Sequence, residues 1–170
     1  EINSSKLKNA DNIKFTSNIM DLYEADIYIV TVPTPIDKHN KPDLTFLKKA
    51  SKIIGQAIKE RKKNDIPMVI FESTVYPGAT EEVSIPLIEE YSNLKIDSCS
   101  KSSKNKSFAC GYSPERVNPG DNKMSISDIV KVTSGSTENA TEKIDLFYKS
   151  FIKAGTFKVS SIKIAEAAKV

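Results

Sequence analysis

Hydroxyls, carboxylates and cations stand in this chain where apolar runs stop, and those exits are where chemistry is possible. In "FESTVYPGATEE" (71–82) the run ends in Glu72, Ser73 and Thr74 and turns through Pro77 and Gly78 towards a helix start. "TVPTP" (31–35) leaves an earlier run in the same manner and carries Thr34. Hydroxyls at such exits, with free N–H groups at a following helix start, suit ribose or phosphate oxygens. The other reading is an ordinary turn whose Ser, Thr, Pro and Gly serve the backbone alone. "GYSPERVNPGD" (111–121) sets Glu115 and Arg116 between two stiffening prolines. Only Arg61 and Arg116 among the 25 basic residues are arginines. Arg116 therefore reads either as a planar fork for a carboxylate or phosphate, or as the partner of Glu115 in a local pair. In "AEAAKV", Glu166 and Lys169 have the spacing of an intrahelical ion pair. His39 sits in a polar loop with no orienting group and reads as solvated.

These segments need a scaffold. "ADIYIVTVP" (25–33) and "IPMVIFEST" (66–74) are β-branched apolar runs of the kind found in strands buried on both faces of a parallel sheet. Between them Leu44, Leu47, Ser51, Ile54 and Ile58 recur at helical spacing, with Asp43 placed to cap the first turn. Residues 80–91 read as a helix capped by Thr80, weakened by Pro86. Strands are expected at 107–113, 128–135 and 156–160. A helix is expected over 136–151, and another after a cap at Ser160 or Ser161. Segment 92–106 reads as a flexible insertion. Alternation of this kind predicts an α/β, doubly wound, mostly parallel sheet of the Rossmann type. In such sheets ligands sit outside the carboxyl ends of the strands, which would bring the exits of the two runs together. No G-x-G-x-x-G occurs in the 170 residues.

Composition excludes several classes. Net charge is +3 and the lysines are scattered among acids, with one cluster at "KSSKNK" (101–106) that reads as a solvated loop. Nucleic-acid binding would want a basic stripe with aromatics or Arg forks, so no nucleic acid is expected. No apolar stretch reaches the length of a membrane span, and the expected setting is the cytoplasm without a membrane partner. Cys99 and Cys110 lack metal-site spacing and read as unpaired thiols, with no metal expected.

The ordered strings "VPTPID", "ESTVYPGATEE", "GYSPERVNPGD", "KVTSGST" and "SSIKIAEAAKV" closely resemble the UDP-glucose/GDP-mannose dehydrogenase family of nucleotide-sugar 6-dehydrogenases, from about Asp26 to Val170. "SPERVNPGD", in place of "SPEFL", is similar to the branch that oxidises UDP-N-acetylhexosamines for surface polysaccharides. The resemblance implies NAD as cofactor, a UDP-sugar as substrate and a homodimer for the full-length protein. It implies two hydride transfers at sugar C6, from alcohol to aldehyde and then, through a thiohemiacetal on a cysteine, to a thioester that water cleaves. Neither Cys99 nor Cys110 matches that cysteine, and the glycine-rich turn of the family would lie before Glu1. The chain is therefore expected to be the latter part of an NAD-binding domain (1–160), followed by the start of a central dimerisation helix (161–170).

Carried over residue by residue, the resemblance makes Thr34, Ser73 and Thr74 cofactor-binding, with Thr74 also near the catalytic water. Glu115 becomes the base of thioester hydrolysis, and Lys169 the cation that steadies the oxygen at C6. Glu115, Arg116, Val117 and Lys169 become substrate-binding. A second acid four residues after the first in the "SPEFL" form is Pro119 here, so no role of that acid carries over. A non-catalytic nucleotide- or sugar-binding module of the same fold is the alternative, since fold alone does not set function.

Overall fold

A computed structural model describes residues 10, 12–98, 107–116 and 126–169. After a short 3-10 turn at Ile19–Leu22, strand β1 (Ile27–Val30) leads through a loop to helix α1 (Thr45–Glu60). Leu44 takes the N-cap position without a side-chain bond, and Asp43, one residue ahead of it, accepts the Thr45 N–H on Oδ1 at 2.9 Å, so it serves the first turn from outside the cap position. The helical stripe Leu47, Ser51, Ile54 and Ile58 is buried, as its spacing requires. Strand β2 (Met68–Phe71) is buried on both faces. β1 is not: at this edge of the sheet Ile29 is 43% exposed, while Ile27 on the same face is only partly buried.

The segment after β2 departs from the expected single helix. A five-residue π-type turn (Thr80–Ser84) precedes helix α2 (Ile85–Ser92), and Thr80 is buried within that turn instead of capping it. Pro86 falls in the first turn of α2, where its missing N–H costs no internal bond. Part of the expected insertion is ordered too: Lys95–Ile96 forms β3, which pairs with the start of β4 (Ser107–Tyr112), while 99–106 lies outside the described residues. Strand β5 (Lys131–Gly135) follows, then helix α3 (Glu138–Lys149) capped by Thr137, β6 (Thr156–Lys158), and helix α4 (Ile162–Ala167) capped by Ser161.

The strand order is β1-β2-β4-β5-β6, with β3 beside β4. Every pairing is parallel except β4 with β5. Val69 and Phe71 point to one face, where α1, α2 and α4 close the main core. Met68 and Ile70 point to the other, against Ile144, Tyr148 and Ile152 of the α3 region. Gly111 sets the closeness of α3: a Cβ there would stand 2.2 Å from Ile144 Cδ1 and 2.3 Å from the Ser134 carbonyl. The sheet is therefore doubly wound and mostly parallel, with a single reversal. That reversal matters, because it lays the amino end of β5 beside the carboxyl end of β4.

Candidate active site at the carboxyl ends of the strands

β1 and β2 are parallel neighbours with Val30 opposite Phe71, so the exits carrying Thr34 and Thr74 leave the same end of the sheet. They are tied there. The Glu72 N–H donates to the Val30 carbonyl at 2.9 Å, and the Ser73 hydroxyl donates to that carbonyl at 3.4 Å. Tyr112 secures the same turn from β4, its hydroxyl donating to the Ser73 carbonyl at 3.0 Å. Ser73 is thus turned inward, while Thr74 is exposed. Thr34 is half-buried, and its Oγ1 is buried without a hydrogen-bond partner among the described residues. An orphaned hydroxyl is costly unless something else meets it, which suits contact with a polar ligand in this crevice.

β4 ends beside these exits, since Phe71 pairs with Tyr112. Ser113 is buried and bonded, its N–H to the Phe71 carbonyl at 2.9 Å and its hydroxyl to the Val132 carbonyl at 2.7 Å. Those bonds fix the chain just ahead of Glu115. Antiparallel pairing of Gly111 with Gly135 and Tyr112 with Ser134, continued outward, brings residue 131 opposite residue 115. Lys131 Nζ stands 3.5 Å from Glu115 Oε2 and 3.4 Å from Glu72 Oε1. It also lies 5.1 Å from the centroid of the Tyr148 ring, whose hydroxyl donates to Glu72 Oε1. Burial, with the Glu72 carboxylate beside it, pushes the Tyr148 phenol well above its ordinary range. This cluster explains why the apolar run of β2 ends in a carboxylate.

Lys169 reaches the same place from the end of α4. Burial draws its ammonium below the ordinary lysine range; the Glu115 charge opposes that pull, Lys131 adds to it, and Glu72 opposes it. Glu115 and Lys169 are therefore brought within electrostatic reach of one another. Sequence reasoning missed Lys131 and Tyr148. The available signal was a lysine heading the β-branched run "KVTSG" of a buried strand, where a charge requires a partner.

Two expectations are corrected here. Glu166 does not pair with Lys169: it is fully buried, and its carboxylate accepts the Gly78 N–H at 2.5 Å and the Thr80 N–H at 2.9 Å. Those N–H groups were expected to be free for a phosphate, and a buried carboxylate has taken them. Gly78 suits this turn because its φ of +104° is strained for other residues. Arg116 commits Nη2 to the Val130 carbonyl at 2.7 Å, while its N–H donates to Glu115 Oε1 at 2.7 Å. The guanidinium thus links the Glu115 segment to the start of β5. Val117 and Cys99 lie outside the described residues. Cys110 is a free, buried thiol, which burial pushes far above its ordinary pKa, and His39 is exposed.

A doubly wound sheet with hydroxyls and titratable groups gathered at its carboxyl ends defines a dinucleotide-binding domain of the Rossmann type. Residues 3–152 match the NAD binding domain of the UDP-glucose/GDP-mannose dehydrogenase family, and the chain belongs to that family, whose cofactor is NAD. Over all 170 residues it is 52% identical to a UDP-N-acetyl-D-glucosamine 6-dehydrogenase of Pseudomonas aeruginosa and 50% identical to Protein CapL of Staphylococcus aureus. It spans 37% of the length of each. Among solved structures, a UDP-D-ManNAc dehydrogenase from Pyrococcus horikoshii superposes with a TM-score of 0.72 at 27% identity, covering 91% of this chain and 33% of that one.

Proposed function

We propose that this chain is the latter part of the NAD-binding domain (1–160) and the start of a central dimerisation helix (161–170) of a homodimeric, cytoplasmic UDP-sugar 6-dehydrogenase. Its substrate is a UDP-N-acetylhexosamine, oxidised at C6 from alcohol to carboxylate for surface polysaccharide. The observation that carries this reading is that Lys131 joins Glu115 to Glu72 at the Thr74 exit, with Lys169 within electrostatic reach of both carboxylates. Thr34, with its unmet hydroxyl, and Thr74, exposed in the same crevice, are the side chains that would hold the cofactor, with Ser73 bracing their turn. NAD+ supplies the hydride acceptor. Lys169 holds the developing negative charge on the C6 oxygen in a partly desolvated site. In the last step Glu115 takes the proton of the attacking water as the C–O bond forms, the C–S bond of the thioester breaks and the cysteine leaves as thiolate. Arg116, next to Glu115, is the described member of the remaining substrate-binding pair; its companion Val117 lies outside the described residues.

Incubating the full-length protein with NAD+ and, separately, UDP-GlcNAc, UDP-GalNAc and UDP-ManNAc tests this reading. The expected result is two NADH per uronic acid formed with at least one sugar, read by absorbance and product mass. Binding of UDP-sugars without NADH from any of the three would overturn it in favour of a non-catalytic binding module.

A further inference from the structure

Lys131 opens the string "KVTSGST", to which no role was given above, yet it is the most enclosed member of the charged cluster. Side-chain exposure rises outward, from 6% for Lys131 to 16% for Glu72 and 32% for Glu115. One ammonium faces two carboxylates. The inner carboxylate, Glu72, is also met by the Tyr148 hydroxyl, whose ring forms part of the wall around the ammonium. An enclosed ion group of this kind is a poor device for stability, because well-packed apolar side chains commonly do as well or better. It is a good device for holding one carboxylate at a fixed place. Lys131 heads β5, a rigid strand, and the antiparallel register sets it across from Glu115.

We infer that Lys131 is a positioning residue for Glu115: anchored by Glu72 and walled by Tyr148, it fixes the Glu115 carboxylate in the crevice for the hydrolytic step. The inference rests on the proposed dehydrogenase reading. It separates the last step from the first two, since Lys169 alone is assigned to the C6 oxygen. Misplacing a base by about an ångström costs on the order of a hundredfold.

The test uses the full-length enzyme with NAD+ and whichever UDP-sugar the wild type turns over, comparing Lys131→Met, Lys131→Arg and the double variant Lys131→Met/Glu72→Gln. In Lys131→Met the NADH burst should reach up to two per active site at the wild-type rate. Steady-state kcat should then be about tenfold to a hundredfold lower, with UDP-sugar KM within about threefold of wild type. Intact-protein mass spectrometry should show the thioester adduct accumulating. Lys131→Arg, which keeps a cation, should recover most of kcat. The double variant removes the inner pair together, so it provides a folded comparison if the single methionine does not fold, and it too should burst and stall. Wild-type turnover in Lys131→Met, a slowed burst without adduct, or an arginine variant no better than methionine would each overturn the positioning role. Absence of NADH from the wild type with every sugar would instead overturn the dehydrogenase reading, and the inference with it.

Discussion

Lys169 and Glu115 share one crevice but are assigned to different steps, so their variants should fail differently. Lys169→Ala removes the cation beside the C6 oxygen and should slow the first NADH about a hundredfold to a thousandfold in a rapid-mixing experiment, as loss of an oxyanion-hole donor does. Glu115→Gln should release up to two NADH per site and then stall with a covalent adduct visible by mass. Because burial lowers the Lys169 pKa, the rate of the first turnover should fall on the alkaline side at a pH below the ordinary lysine value of about 10.4. Removing the opposing anion in Glu115→Gln should move that limb lower still, and a pH profile of the burst rate would show it. Residues of this kind were legible where motifs carried them: Thr34, Thr74, Glu115 and Lys169 were all named from strings alone. Lys131 and Tyr148 were not, because their partnership with Glu72 joins three elements, with Tyr148 and Glu72 separated by 76 residues. No local spacing reports such a contact. The same limit turned Glu166 into a false partner for Lys169.

At the scale of elements, α4 and the π-type turn after β2 depend on each other. The Glu166 carboxylate occupies N–H groups that a normal helix start would cap locally, and Thr80, the expected cap, is itself held by it. Glu166→Ala would leave two buried donors unpaired, and a loss on the order of 3 kcal/mol in denaturant-derived stability is expected. α3 has a comparable tie. Burial alone would raise the pKa of the Asp145 carboxyl, but hydrogen bonds from Lys149, Thr156 and Thr133 outweigh burial and hold it below the ordinary range. A lowered folded pKa gives stability that is complete above the unfolded value near 4 and is lost as pH falls through the folded one. Asp145→Asn should therefore cost on the order of 2 kcal/mol at pH 7, and the difference should shrink progressively as pH falls below about 4, measured by denaturant titration across that range. Periodicity and short apolar runs made α1, α3, β1, β2, β4 and β5 legible, whereas β6 buries no such run, its Phe157 being 62% exposed. Periodicity could not register the π-type turn, whose geometry is set by a carboxylate on another element, nor the two-residue strand β3, too short for any pattern.

For the whole molecule, the doubly wound class was legible because strands and helices alternate along the chain, and the β4–β5 reversal agrees with a sequence that reads as two strands in succession at this point. The exposed side of β1 was not foreseen, since an apolar run alone does not say which of its faces will be covered. The 170 residues contain no glycine-rich pyrophosphate turn, and the N–H groups after β2 are occupied by Glu166. This chain on its own should therefore bind NAD+ weakly or not at all; micromolar affinity by calorimetry or NADH fluorescence would contradict that. The Glu166 cap also orders events in time. Gly78 and its acceptor are 88 residues apart, so at ribosomal speeds of about 5 to 20 residues per second the turn leaves the ribosome about 4 to 18 s before the residue that closes it. Throughout that interval the nascent chain presents the turn with its backbone donors open to water, chaperones and proteases. A ribosome pause placed just ahead of codon 166 should lengthen that exposure, whereas one just after it has emerged should leave the turn already closed.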